Sequence, residues 1–131
     1  MKQLITILLC LVATCAFSQK KTGWKELDDF HDIVSPVFHT AEKGNYKAAK
    51  DSATLVLERA KKWQAAPLPA QADATVFKPL IDRLVIETTA IKVAVEAKKT
   101  DEELKLILRK AHNTFHEILG KYNKLTTTSK P

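Results

Sequence analysis

The spacing of the apolar residues constrains this chain most: they recur three and four positions apart through four successive stretches, and strand-like alternation covers no useful length. That spacing gathers side chains on one face of an α-helix, so each stretch reads as an amphipathic helix that must bury its stripe. The first runs from about Trp24 to Lys43, with Leu27, Phe30, Ile33, Val34, Val37, Phe38 and Ala41 on the stripe. The second runs from about Tyr46 to Gln64, with Ala49, Ala53, Val56, Ala60 and Trp63 inward. The third spans about Thr75 to Lys99 and carries Phe77, Leu80, Ile81, Leu84, Thr88, Ile91 and Val95. The fourth starts at Thr100, carries Leu104, Ile107, Leu108, Ala111, Phe115, Ile118 and Leu119, and fades near Tyr122.

The residues between the stripes punctuate them. Gly44 supplies a stop and Asn45 an N-cap for the second helix. Pro67 and Pro69 end that helix, and Thr100 with Glu103 forms a capping box for the fourth. Pro36 falls inside the first helix, where it removes one backbone hydrogen bond and should kink or loosen it. Pro79 falls in the first turn or so of the third, where proline is tolerated. Four helices of about 20 residues with short links predict an all-α, up-down-up-down antiparallel four-helix bundle over residues 19–125, with a frayed tail at 126–131. The run Ala41-Glu42-Lys43-Gly44-Asn45-Tyr46-Lys47-Ala48-Ala49 resembles the turn of a tetratricopeptide repeat, but no second copy follows at the required period of about 34 residues.

Residues 1–18 read as a secretion signal. Lys2 supplies the positive start, an apolar run extends from Leu4 to Ala16, and Ala16 and Ser18 suit cleavage before Gln19. The run is short for a membrane span and polar Gln19, Lys20 and Lys21 follow at once, so a soluble secreted or periplasmic protein is expected. Val12-Ala13-Thr14-Cys15 is similar to a lipobox, but threonine stands where glycine, alanine or serine is usual, which disfavours lipidation at Cys15. Cleavage would remove both cysteines, Cys10 and Cys15, and the only methionine, Met1. The mature domain then has no thiol nucleophile, sulfur ligand or disulfide, and its stability must come from a packed core. The formal charge is +6, Lys2 included, with lysines spread among the acidic residues; an exported chain of this kind is not expected to meet nucleic acid.

The functional clue is the placing of the histidines. His31 and His39 lie on the first helix, His112 and His116 on the fourth, and the middle pair has none. His112 and His116 are four apart, which sets two imidazoles on one face with the spacing that grips one metal ion. His31 and His39 are eight apart, about 80° of helical rotation, and Pro36 lies between them. When the first and fourth helices run antiparallel as neighbours, His31 falls level with His116 and His39 with His112, to within about 6 Å along the axis. The expectation is a metal site in the groove between these helices, with His31, His39, His112 and His116 as ligands of a divalent ion, zinc or copper. Asp28, Asp32 and Glu42 lie on the same flank as further ligands or as acceptors that fix imidazole tautomers.

His112-x-x-x-His116 resembles a fragment of the hemerythrin pattern, but the remaining carboxylate-bridging motif is missing. At the level of architecture alone the chain is similar to the cytochrome c-prime group of exported haem-binding bundles. That resemblance implies a haem alternative, which the absence of Cys-x-x-Cys-His restricts to non-covalent histidine ligation. A third expectation is a structural or interaction protein of the cell envelope that binds a protein partner and nothing small. Catalysis has little support: there is no phosphate-binding glycine loop, no His-Glu-x-x-His, and no Cys/His or Ser/His/Asp spacing.

Overall fold

The structure is a computed structural model that describes residues 21–128; the expected signal at 1–18 and the final residues 129–131 lie outside the described residues. It contains α1 (Lys25–Glu42), α2 (Lys47–Ala65), α3 (Ala74–Glu96) and α4 (Asp101–Thr128), with no strand among the described residues. Each helix packs on the next, and α1 and α4 close the ring with much sparser contact. Cross-helix pairs show the alternating directions. Arg83 on α3 pairs with Glu117 on α4, and Gln64 on α2 donates to Asp82 on α3. Lys50, near the start of α2, pairs at 2.8 Å with Asp101 at the start of α4, as expected for helices pointing the same way.

The ends of the helices follow local chemistry. At the end of α1 the N–H of Asn45 reaches the carbonyl of Thr40 and that of Gly44 reaches Ala41, a Schellman closure with Gly44 at φ +84°. Asn45 then accepts from the N–H of Lys47, capping α2 from one residue before the cap position. The reciprocal bonds of the box join Thr100 N–H to Glu103 Oε2 (2.9 Å) and Glu103 N–H to Thr100 Oγ1 (3.2 Å).

Two boundaries differ from the sequence expectation. α3 stops at Glu96 rather than near Lys99, because Lys98 turns into the left-handed region (φ 52°) and a second Schellman closure forms, with Lys99 N–H on Ala94 and Lys98 N–H on Val95. α4 continues past Tyr122 and through 126–128, where fraying was expected. Leu125 packs against the core there, the hydroxyls of Thr126 and Thr127 donate to the carbonyl of Asn123, and that of Thr128 donates to the carbonyl of Lys124.

The core has an aromatic column at the end where α1 begins and α4 finishes. Trp24 stands edge-on to Trp63 (5.3 Å between ring centroids) and to Phe77 (5.5 Å), with Tyr122 at 5.1 Å. Phe30 links Trp63 (5.5 Å) to Phe115 (5.6 Å) midway along the bundle. Such offset and edge contacts add to the burial of large rings, which lets a domain without disulfides hold together. Phe115 is also the residue at which the core meets the histidines.

Candidate functional site

Because α1 and α4 pack sparsely, the seam between them stays open at both ends. One groove, of about 680 Å³, lies between Leu27 and His31 of α1 and Leu119 and Asn123 of α4. Another, of about 260 Å³, lies between Phe38 and Glu42 of α1 and Leu108 and His112 of α4. The histidines occupy the stretch of seam between and beside these grooves.

On α4, helical spacing brings the two imidazoles together. Nε2 of His112 and Nε2 of His116 are 2.8 Å apart, with ring centroids at 4.4 Å and ring planes inclined by 71°. Across the seam, Oε1 of Glu42 lies 3.7 Å from Nδ1 of His112, a charge contact longer than a hydrogen bond. A carboxylate at Nδ1 favours the proton there and leaves the Nε2 lone pair of His112 facing His116, which then donates from its own Nε2. Phe38 supports the His112 ring from α1 at 4.8 Å.

The other two histidines flank this pair. His39 is exposed, and its Nδ1 lies 3.4 Å from the second oxygen of Glu42, so one carboxylate stands between His39 and His112. His31 stacks on Phe115 at 5.6 Å with the planes 24° apart, and Phe115 in turn lies 5.8 Å from the His116 ring. Thus His112 and His116 meet directly, His39 joins them through Glu42, and His31 approaches through Phe115. Among the described residues, no three His, Cys, Asp or Glu side chains stand gathered as a set that could hold a metal ion.

The acidic residues near His31 also have partners outside the histidines. Asp28 accepts from the backbone N–H and hydroxyl of Thr22, and Asp32 pairs with Lys21 at 2.6 Å. The other oxygen of Asp32 lies 4.0 Å from Nδ1 of His31, so Asp32 faces that ring while Glu42 faces His39 and His112. Phe38 and Phe115, which hold two of the rings, were expected only as core; their signal in the sequence is that each directly precedes a histidine.

Burial favours the neutral form of His31 and His112. Burial pulls the pKa of His112 below the ordinary imidazole value, helped by the nearby charges of His116 and His39 and opposed by Glu42. Burial also lowers His31, with Asp32 opposing and Lys21 and His116 contributing. Neutral imidazole is the form that coordinates metal, so both shifts act in the direction a metal site requires.

Among the described residues no helix is long and apolar enough to cross a membrane. No family model, curated protein or solved structure matches the chain.

Proposed function

We propose that this chain is an exported bundle that binds a divalent transition-metal ion at the His112–His116 pair, in the seam between α1 and α4. The observation that carries this reading is the approach of two Nε2 atoms to 2.8 Å on one helical face. Two imidazole nitrogens so placed share one proton in the free protein and can exchange it for one cation. Glu42 stands where an acceptor would orient His112, the usual second partner of a metal-ligating histidine. His31 and His39 flank the pair from α1, His31 through Phe115 and His39 through Glu42. Export rests on the signal-like residues 1–18.

Calorimetric titration with Zn²⁺ and Cu²⁺ at pH 7.5 and again at pH 5 tests this. One ion should bind per chain at pH 7.5, weaken strongly at pH 5 as the imidazoles protonate, and disappear in the double variant His112→Ala/His116→Ala. Absence of binding at micromolar metal removes the reading.

A second reading, a bundle that presents a face to an envelope protein, draws on one further observation. Among the described residues the three most exposed large aliphatic side chains, Ile86, Val93 and Leu106, all lie on α3 and α4. If this reading is correct, Ile86→Lys and Val93→Lys abolish capture of a partner from envelope extracts, and metal has no effect on that capture.

A further inference from the structure

The outward side of α3 carries almost no charge along its middle. Between Arg83 and Glu96 its exposed residues are Ile86, Thr89, Ala90 and Val93, whereas α2 exposes Lys50, Asp51 and Glu58 over a shorter stretch. Isoleucine, threonine and valine are weaker helix formers than the lysine or glutamate usual at exposed positions, so they do not serve the helix itself. Ile86 is 70% exposed and Val93 57%. α4 widens the patch. Arg83 meets Glu117 across the antiparallel pair, so Leu106, on the line of α4 that carries Glu117, lies level with Val93.

Charges border this face on both flanks. Arg83 and Glu87 lie toward α4, and Lys78 and Glu96 lie toward α2, as the contacts of Arg83 with Glu117 and of Asp82 with Gln64 orient the helix. Two of the four lack a counter-charge. Oε2 of Glu87 is buried without a hydrogen-bond partner, and neither Glu87 nor Lys78 has an ion-pair partner among the described residues.

When two copies of one helix pack antiparallel about a two-fold axis, each flank meets its own counterpart. With the axis at Ile86, that residue meets itself and Pro79 meets Val93. Arg83 then falls opposite Glu87 on one flank, and Lys78 opposite Glu96 on the other. The midpoint of each pair lies within one residue of Ile86, about 1.5 Å along the axis. Val76, itself exposed, comes level with Leu106 of the second copy to within about 3 Å. The guanidinium of Arg83 has donors enough for Glu117 of its own chain and Glu87 of the other. Copies of a chain with a formal charge of +6 repel each other across a basic face; across this one, opposite charges meet.

We propose that the chain forms a two-fold dimer through the outer face of α3, the two α3 helices antiparallel and centred on Ile86. The occupant of the face is a second copy rather than the envelope protein of the second reading above, because one register satisfies both its apolar residues and its unpaired charges.

The test uses the full chain carrying Cys10→Ser and Cys15→Ser, kept in EDTA so that no metal bridges two copies. Sedimentation equilibrium at about 100 µM should show a dimer. Ile86→Lys, which sets two like charges together at the axis, should raise its dissociation constant more than about a hundredfold. Glu87→Arg should weaken the dimer about tenfold, and Glu87→Arg/Arg83→Glu should restore it. On oxidation, Ile86→Cys should give a disulfide-linked dimer. Val93→Cys should not, since its two copies lie about 21 Å apart along the axis, but an equal mixture of Pro79→Cys and Val93→Cys chains should. Far-UV circular dichroism confirms that each variant is folded. A chain that is monomeric at this concentration overturns the proposal and leaves the envelope-protein reading to account for the face. A dimer unchanged by Ile86→Lys, or a disulfide formed as readily by Val93→Cys as by Ile86→Cys, overturns it as well.

Discussion

Replacing Phe115 by alanine removes the ring on which the core and the histidines both lean. Its side chain is 1% exposed and contacts Phe30, Trp63 and His31. Truncating a buried phenylalanine costs about 3–5 kcal/mol, lost transfer energy and residual cavity together. A domain of this size has about 5–15 kcal/mol in total. The variant should therefore be marginal, and with a urea m-value of about 2 kcal/mol/M its midpoint should fall by about 2 M. Phe115→Leu retains most of the volume and loses the ring contacts, so it should cost only about 1–2 kcal/mol. The assay is urea unfolding followed by far-UV circular dichroism at pH 7.5, with Phe30→Leu completing a double-mutant cycle. A coupling of about 0.5–1.5 kcal/mol is expected between the two rings. A midpoint shift below about 0.5 M for Phe115→Ala would mean that the ring is not packed where the fold puts it, and with it would go the support for His31 and His116.

Three further outcomes follow from the same geometry. Lys98→Gly should raise stability by about 0.5–1 kcal/mol in thermal unfolding, because glycine adopts the φ of 52° that the α3 closure demands without the steric cost lysine bears there; a loss of stability would place the turn elsewhere. Thr100→Ala should lower stability by about 1 kcal/mol through loss of the cap on α4, read from the same melting curves, and no change would remove the box from the account. Burial holds the His31 and His112 pKa values below the ordinary 6.5, so the unfolded chain takes up protons first as pH falls. Stability should be level above about pH 6.5 and decline below it; urea midpoints at pH 7.5 and 5.5 measure this, and His31→Gln with His112→Gln should shrink the difference.

The helices were legible because period and punctuation agreed: Gly44, Asn45, Thr100 and Glu103 each do locally what their chemistry suggests. The α3 end was not, since the left-handed residue there is a lysine and carries no compositional mark. The α4 end was missed for another reason. A run of threonines reads as a weak helix former, yet Leu125 anchors the last turn and the threonine hydroxyls bond back to earlier carbonyls. In the site, spacing alone gave the His112–His116 pair, and antiparallel register set His31 level with His116 and His39 with His112, whereas in the structure His31 stacks on Phe115 and Glu42 approaches His112. Spacing could not say which side chains would meet. His39 turns to solvent on a helix that continues through Pro36, and Glu42 takes the place between it and His112.

Imidazole ¹⁵N NMR of the histidine-labelled protein during a Zn²⁺ titration, zinc serving as a diamagnetic probe, reads the ligating atoms one by one. The account predicts that Nε2 of His112 and Nε2 of His116 shift together to metal-bound values while Nδ1 of both rings carries the proton. Titration curves in which these two rings respond separately, or stay unchanged while metal collects elsewhere, would contradict it.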